Sequence, residues 1–141
     1  LWLDTDPGYR SLNQLARSCS AVTAACLLTK RALYLDLGGL DGDLYPVAFN
    51  DVDYCLRIRE RGLRVVWTPF ASLIHLESQS RGLDHKLPEK QARARREITG
   101  LQQRWASQLT TDPYYHPALS LYPRQAPFEG LAVPPRPRNP R

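Results

Sequence analysis

Runs of apolar residues separated by polar turns predict alternating strands and helices. Residues 20–29, SAVTAACLLT, are nearly continuously apolar with little charge, which favours a strand buried on both faces. Residues 63–68, LRVVWT, predict a second buried strand that Pro69 closes. Residues 71–76 predict a short third strand, with His75 near its end. This pattern is typical of an α/β fold with a mixed sheet of a few buried strands flanked by helices.

Two shorter helices are predicted between these strands. Thr29 can cap a helix over residues 30–37, which the pair Gly38-Gly39 ends. Asn50 is a good N-cap for the second helix, and Asp51 and Asp53 then lie in its first turn, where the helix dipole favours negative charge.

The spacing of its apolar residues predicts that one face of the second helix packs against a core. Val52, Cys55, Leu56 and the stem of Arg59 recur at helical intervals, and Gly62 follows as a C′ residue. Because the helix starts directly after a long loop, its first-turn carboxylates can point into a cleft.

A long helix is predicted near the end of the chain. Pro88 suits its first turn, and it runs to about Leu109. Its apolar marks keep a spacing of three or four residues: Ala94, Ile98, Leu101, Trp105 and Leu109. Residues 110–122, TTDPYYHPALSLY, predict an extended segment lying on the domain.

The pattern divides the chain into three parts. Residues 1–18 predict a connector with a turn at 6–9, residues 19–122 a single domain, and residues 123–141 a disordered tail. The tail holds six of the twelve prolines and four arginines. It has too few apolar residues to form an ordered structure by itself. The chain has no methionine, so we expect it to be part of a longer protein.

The net charge of +5 is unevenly placed. Residues 19–85 hold seven Lys and Arg against eight Asp and Glu, whereas residues 86–104 hold six against two. The basic character therefore belongs to the long helix and the tail. No run reaches the ~20 apolar residues of a membrane span. Three cysteines, Cys19, Cys26 and Cys55, lie in apolar patterns without metal-type spacing and predict reduced core thiols of a cytoplasmic protein.

Several of these segments together resemble a known family. The strand SAVTAACLLT and a short helix precede GGLD, then FNDVDYCLR, GLRVVWTP and a strand ending in His75. This order is similar to the C-terminal half of the GT-A domain, a Rossmann-like domain, of bacterial family 2 inverting glycosyltransferases. The segment DPYYHPALSL also resembles one that follows this domain in surface-polysaccharide transferases.

The resemblance implies roles for individual residues. Asp51 is the counterpart of the catalytic base, and His75 matches a histidine ligand of a divalent metal, Mn²⁺ or Mg²⁺. Acceptor contacts are implied for Gly38, Gly39, Asp41, Asn50, Asp53 and Trp67, with Asn50 standing where a glutamate is common.

The same resemblance implies what a transferase would need besides this chain. The family's nucleotide-binding half and its Asp-x-Asp metal motif have no counterpart in these residues, since none of the three Asp-x-Asp triplets follows a buried strand. The implied partners are a nucleotide-sugar donor and a polysaccharide or lipid-linked glycan acceptor, with peripheral contact at the inner face of the membrane. We expect the isolated chain to be inactive.

Each candidate also has a structural interpretation. Asp51 and Asp53 can serve only the helix dipole, His75 can be a surface residue, and Trp67 inside an apolar strand can be core. Gly38-Gly39 is a helix end under either interpretation. The arginines of the long helix can form a solvated face, or they can bind an anionic partner such as lipid headgroups or nucleic acid. Nucleic acid is disfavoured because few aromatic residues accompany the basic ones.

Overall fold

The computed structural model describes residues 7–73, 88–121 and 130–132. A 3₁₀ helix at Tyr9–Gln14 begins the described chain, where the sequence predicts a connector. The elements that follow are β1 (Arg17–Cys19), a second 3₁₀ helix (Ala24–Cys26), α1 (Arg31–Asp36), α2 (Asn50–Glu60), β2 (Val65–Trp67) and α3 (Pro88–Thr110). The predicted α/β class and the long C-terminal helix are confirmed.

The two described strands form one antiparallel sheet. Arg17 lies opposite Trp67, and Cys19 lies opposite Val65. The predicted buried strand over residues 20–29 is wrong, because the run folds into the 3₁₀ turn in its middle and Leu28 is 98% exposed. A run of this composition stays buried on both faces only when neighbouring strands flank it, and the described residues supply none.

The predicted strand over residues 63–68 exists in shortened form. Only Val65–Trp67 is paired, and only Val65 of these three residues is buried. Residues 71–73 form no strand, and the rest of the third predicted strand lies outside the described residues.

Helix α2 lies at the centre of the core, between two apolar clusters. One cluster consists of Cys19, Tyr54, Cys55, Ile58 and Val65. The other consists of Tyr45, Leu56, Leu101 and Trp105, which joins α2 to α3. Because α2 is packed on several sides, its buried set is wider than the single apolar face that the sequence predicts.

Helices α1 and α2 end at the predicted glycines, whereas the predicted N-cap of α1 is not found. Gly38, Gly39 and Gly62 all have positive φ angles directly after α1 and α2, as a left-handed helix end requires. The predicted Thr29 cap is wrong, because Lys30 occupies the cap position of α1 and the Thr29 hydroxyl instead contacts the Tyr54 hydroxyl at 3.0 Å.

Helix α3 starts at Pro88 as predicted and shows a break in helical geometry at Trp105. Its buried residues are Glu97, Leu101 and Trp105, spaced four apart. The prediction that Ile98 packs inward is wrong, since Ile98 is 41% exposed. The carboxylate of Glu97 turns inward because it accepts a hydrogen bond from the Ala48 backbone N–H at 2.7 Å.

The segment after α3 folds back onto the domain. Ser20 Oγ donates to Asp112 at 2.6 Å, and the Arg59 guanidinium lies over the Tyr114 ring. This contact agrees with the prediction that the segment lies on the domain, although turns rather than an extended run form part of it. Leu119 forms an antiparallel bridge with Leu131, so residues 130–132 of the predicted tail pair with the domain.

Of the three cysteines, two are core residues. Cys19 and Cys55 are buried, whereas Cys26 is exposed, so the prediction of a core position is wrong for Cys26. Within the described residues, no helix is long and apolar enough to cross a bilayer.

Candidate active site at the start of helix α2

Helix α2 begins with an unusual backbone conformation. Phe49 has φ 66° and ψ 0°, the left-handed region, and it occupies the N-cap position that the sequence assigns to Asn50. The predicted Asn50 cap is therefore wrong. The Asn50 amide instead donates to the Tyr45 carbonyl at 3.1 Å, while Phe49 packs on the cluster around Leu101. Left-handed dihedrals in a bulky residue cost roughly 1–3 kcal/mol, and such strain concentrates at functional sites.

Asp51 lies two residues after Phe49 and is only partly buried. Its Oδ1 accepts the neighbouring Val52 N–H at 2.8 Å, and its Oδ2 accepts the Ala24 N–H of the 3₁₀ turn at 3.0 Å. No cationic side chain bonds this carboxylate among the described residues. The Asp51 carboxylate is thus fixed by two backbone N–H groups, remains accessible to solvent and lies at the positive end of a helix.

Asp53 differs from Asp51 in its burial and in its hydrogen-bond partners. Its side chain has no exposed surface, and Trp105 Nε1 donates to its Oδ1 at 2.8 Å. Arg57 Nε donates to its Oδ2 at 2.8 Å, and Arg104 lies 3.3 Å from Oδ1. The Asp53 carboxylate is therefore paired with two arginines and closed to solvent. This geometry favours a structural role, and an acceptor contact by Asp53 stays an untested prediction.

Arg57 extends this network to the loop after α1. Its guanidinium donates to the Leu37 carbonyl and, at 2.7 Å, to the Gly39 carbonyl. Arg104 also reaches Asp41 in the same loop, at 3.6 Å. These cations line a polar cavity of about 400 Å³ whose remaining walls come from the loop: Leu37, Gly38, Leu40, Asp41, Gly42 and Asp43.

The structure separates this polar cavity from Asp51. An α-helix turns about 100° per residue, so Asp51 and Asp53 face nearly opposite sides of α2. Their contacts agree, because Asp51 bonds the 3₁₀ turn whereas Asp53 bonds Arg57 and α3. Gly38, Gly39 and Asp41, which are predicted acceptor residues, are thus grouped with Asp53 and not with Asp51.

Trp67 lies in β2, away from the other predicted acceptor residues. It is partly buried, and the Arg17 guanidinium lies 5.3 Å from its ring centre. It also packs against the cluster around Val65. Both interpretations from the sequence therefore survive, since part of the ring belongs to the core and part remains accessible.

His75, the predicted metal ligand, lies outside the described residues. Within the described ranges, no three His, Cys, Asp or Glu side chains come close enough together to hold a metal ion.

The sequence does not reveal the residues that hold the first turn of α2 in place. Arg57, Arg104 and Trp105 surround Asp53, and Tyr45 is completely buried nearby. Burial raises the pKa of the Tyr45 hydroxyl, and the Asp53 carboxylate adds to that rise. In the sequence, only the four-residue spacing of Asp53 and Arg57 indicates part of this network, because residues four apart on a helix can form an ion pair. The link from Asp53 to α3 spans 52 residues and has no local signature.

Comparison with known proteins shows two longer relatives. The chain is 46% identical over 114 residues to the uncharacterized protein y4gI of Sinorhizobium fredii, covering 81% of this chain and 12% of that protein. It is 37% identical over 113 residues to the O-antigen biosynthesis protein RfbC of Myxococcus xanthus, covering 74% of this chain and 8% of that protein. No family model and no solved structure match. The chain thus corresponds to about a tenth of the length of either relative.

Proposed function

We propose that this chain is the acceptor-side part of an inverting glycosyltransferase in glycan biosynthesis, with Asp51 as the general base. The single observation that carries the proposal is the contrast between two carboxylates on one helix. Asp53 is sealed and paired, whereas Asp51 is partly exposed, held by two backbone N–H groups and bonded to no described cation. The name of the Myxococcus relative supports the glycan pathway.

The chemistry assigned to Asp51 is a proton transfer. An acceptor hydroxyl attacks the anomeric carbon of the donor sugar, the bond to the nucleoside diphosphate breaks, and the hydroxyl proton passes to the Asp51 carboxylate. A carboxylate oxygen within hydrogen-bond reach of the hydroxyl can accept that proton directly. The two backbone hydrogen bonds fix the carboxylate direction, so that little reorganisation is needed at the moment of transfer.

The strained backbone at Phe49 supports the same placement. Its left-handed dihedrals direct the chain into α2 immediately before Asn50 and Asp51. Packing against the cluster of Tyr45, Leu56, Leu101 and Trp105 offsets the cost of that conformation. A fixed loop-to-helix corner is a means of holding a reactive side chain at a constant angle.

A divalent metal remains part of the proposal only through the family resemblance. When bound, Mn²⁺ or Mg²⁺ would offset the charge of the departing diphosphate. His75 would supply one imidazole ligand, and the other ligands would come from outside this chain. Calorimetric titration of Mn²⁺ into a full-length protein and its His75→Ala variant tests this assignment, because equal affinity would exclude His75 as a ligand.

A basic binding module is the alternative, and the structure weakens it. Two arginines of α3 are paired internally, Arg93 with Glu97 at 3.2 Å and Arg104 with Asp41 and Asp53. Fewer cations therefore remain for an anionic partner than the sequence suggests. Binding of this chain to DNA or anionic vesicles that falls steeply between about 50 and 200 mM salt would favour the alternative.

The enzymatic proposal is tested by product release. A full-length protein containing this segment is incubated with a panel of nucleotide sugars, with and without a glycan acceptor. We expect acceptor-dependent release of nucleoside diphosphate and a product of inverted anomeric configuration. The isolated 141-residue chain should release none. Lack of release by the full-length protein with every donor, or a product of retained configuration, would contradict the proposal.

A further inference from the structure

A buried carboxylate on α3 holds the loop that leads into α2. The Glu97 side chain is only 2% exposed, and its Oε2 accepts the Ala48 backbone N–H at 2.7 Å. Arg93 Nε lies 3.2 Å from the other oxygen, Oε1. Burial of a carboxylate is costly unless it is paired and hydrogen-bonded, and both conditions are met here. Glu97 therefore fixes one backbone point of this loop to α3.

That point lies directly before the strained corner of α2. Ala48 precedes Phe49, whose left-handed φ of 66° leads the chain into the helix. The Phe49 carbonyl accepts the Asp53 N–H at 2.8 Å, so a helical hydrogen bond spans the corner. Left-handed backbone in a bulky residue persists only where the surrounding contacts over-determine it. The bond from Ala48 to Glu97 is one of these contacts.

The start of the same loop is fixed as well. Tyr45 is completely buried, and its carbonyl accepts the Asn50 amide at 3.1 Å. The loop is thus held at Tyr45 by packing and at Ala48 by Glu97, on either side of residues 46 and 47. Because Asp51 follows only three residues after Ala48, a shift at Ala48 changes the direction in which the Asp51 side chain leaves the helix.

We propose that Glu97 is a positioning residue for the general base, acting through the backbone of Ala48 and Phe49 on the Asp51 carboxylate. This inference rests on the proposed function, since it takes Asp51 as the proton acceptor. The Glu97 hydrogen bond goes to the Ala48 backbone, so the proton transfer itself stays with Asp51. A misplacement of about 1 Å can lower the rate of a positioned reaction by about 100-fold. Loss of Glu97 should therefore lower kcat more than it changes donor binding.

Turnover of a full-length protein containing this segment tests the inference. Glu97→Ala removes the acceptor, Glu97→Gln keeps an oxygen of the same reach, and Ile58→Ala removes a buried side chain near the other end of α2. We expect kcat of Glu97→Ala to fall by about 100-fold, with the KM for the donor nearly unchanged. Glu97→Gln should recover at least about 10-fold of that loss. Ile58→Ala should keep the parental kcat when rates are expressed per folded molecule.

The kinetic outcomes separate this inference from the proposed function. A parental kcat in Glu97→Ala, or equal losses in Glu97→Ala and Glu97→Gln, would overturn the role of Glu97 while Asp51 remained the candidate base. An equal loss in Ile58→Ala would overturn it too, because general destabilisation of α2 would then explain the result. An inactive parent would instead contradict the proposed function.

Hydrogen exchange tests the positioning without turnover. Mass spectrometry compares peptides that cover residues 47–53 and 57–61 in the parent and in Glu97→Ala. We expect exchange at residues 47–53 to become at least about 10-fold faster in Glu97→Ala, with a smaller change at residues 57–61, since the loosened contact is local. Unchanged exchange at residues 47–53, or equal acceleration at both ends of α2, would overturn the inference.

Discussion

The indole N–H of Trp105 donates to the Asp53 carboxylate at 2.8 Å, which joins α3 to the first turn of α2. Arg57 and Arg104 bond the same carboxylate, so one buried anion connects both helices and the Gly38-Gly39 loop. Removing one partner of a buried ion pair is far more costly than the pair's net contribution. Asp51 lies two residues earlier in the same first turn, so we expect this anchor to help fix its position.

Asp53→Ala should therefore lower the free energy of unfolding by about 3–5 kcal/mol, because Arg57 would lose its buried counterion. Denaturation with urea, followed by tryptophan fluorescence, measures the change. Asp43→Asn is the matched control, since Asp43 is exposed, and it should change stability by less than about 0.5 kcal/mol. Similar small effects for both variants would show that the Asp53 network does not hold α2.

Gly39 should be intolerant of a side chain. Its φ is 68°, and an added Cβ would lie 2.9 Å from the Tyr34 ring. Gly39→Ala is expected to cost at least about 1–2 kcal/mol from the left-handed backbone alone, whereas Gly42→Ala meets open space without a positive φ and should be nearly neutral. The melting temperatures of the two variants test this prediction. Equal values would contradict the left-handed conformation of Gly39 and its contact with Tyr34.

The thiols should differ in reactivity. Cys26 is exposed and should react within the mixing time with a disulfide reagent at pH 8, whereas Cys19 and Cys55 should react only on unfolding. Burial raises the pKa of both core thiols. Unfolded thiols ionise near pH 8.5 while the folded ones stay protonated, so the free energy of unfolding should fall as the pH rises above that value. Equal reaction rates of the three thiols would contradict the burial of Cys19 and Cys55.

The sequence predicts the glycine and proline helix ends well, but it misses both N-caps and the distant contacts. Gly38-Gly39, Gly62 and Pro88 mark helix ends through their own backbone preferences, and all three assignments are confirmed. The run at residues 20–29 has strand composition, but a strand needs partners, and the described chain folds it into a turn. The Glu97 carboxylate turns inward for a backbone N–H 49 residues away, which no helical periodicity can reveal.

For the candidate site, the sequence identifies the residue types but not their grouping. Asp51 and Asp53 look equivalent as first-turn carboxylates, yet only Asp51 is accessible. The difference arises because α3 packs on one side of α2 and supplies Trp105 and Arg104 to Asp53. Tertiary contacts, not first-turn position, therefore separate the candidate base from the structural anion.

Asp51→Asn in a full-length protein is the most direct test of the central claim. Asparagine keeps one oxygen that can accept either the Ala24 or the Val52 N–H, so folding and donor affinity should change only modestly. Loss of the base should lower the transfer rate by at least about 100-fold. Steady-state rates and donor binding are measured for this variant beside Asp36→Asn, which changes an exposed aspartate of α1 that does not line the polar cavity. We expect transfer to be lost only in Asp51→Asn, with donor binding intact. Transfer at the parental rate would contradict Asp51 as the base.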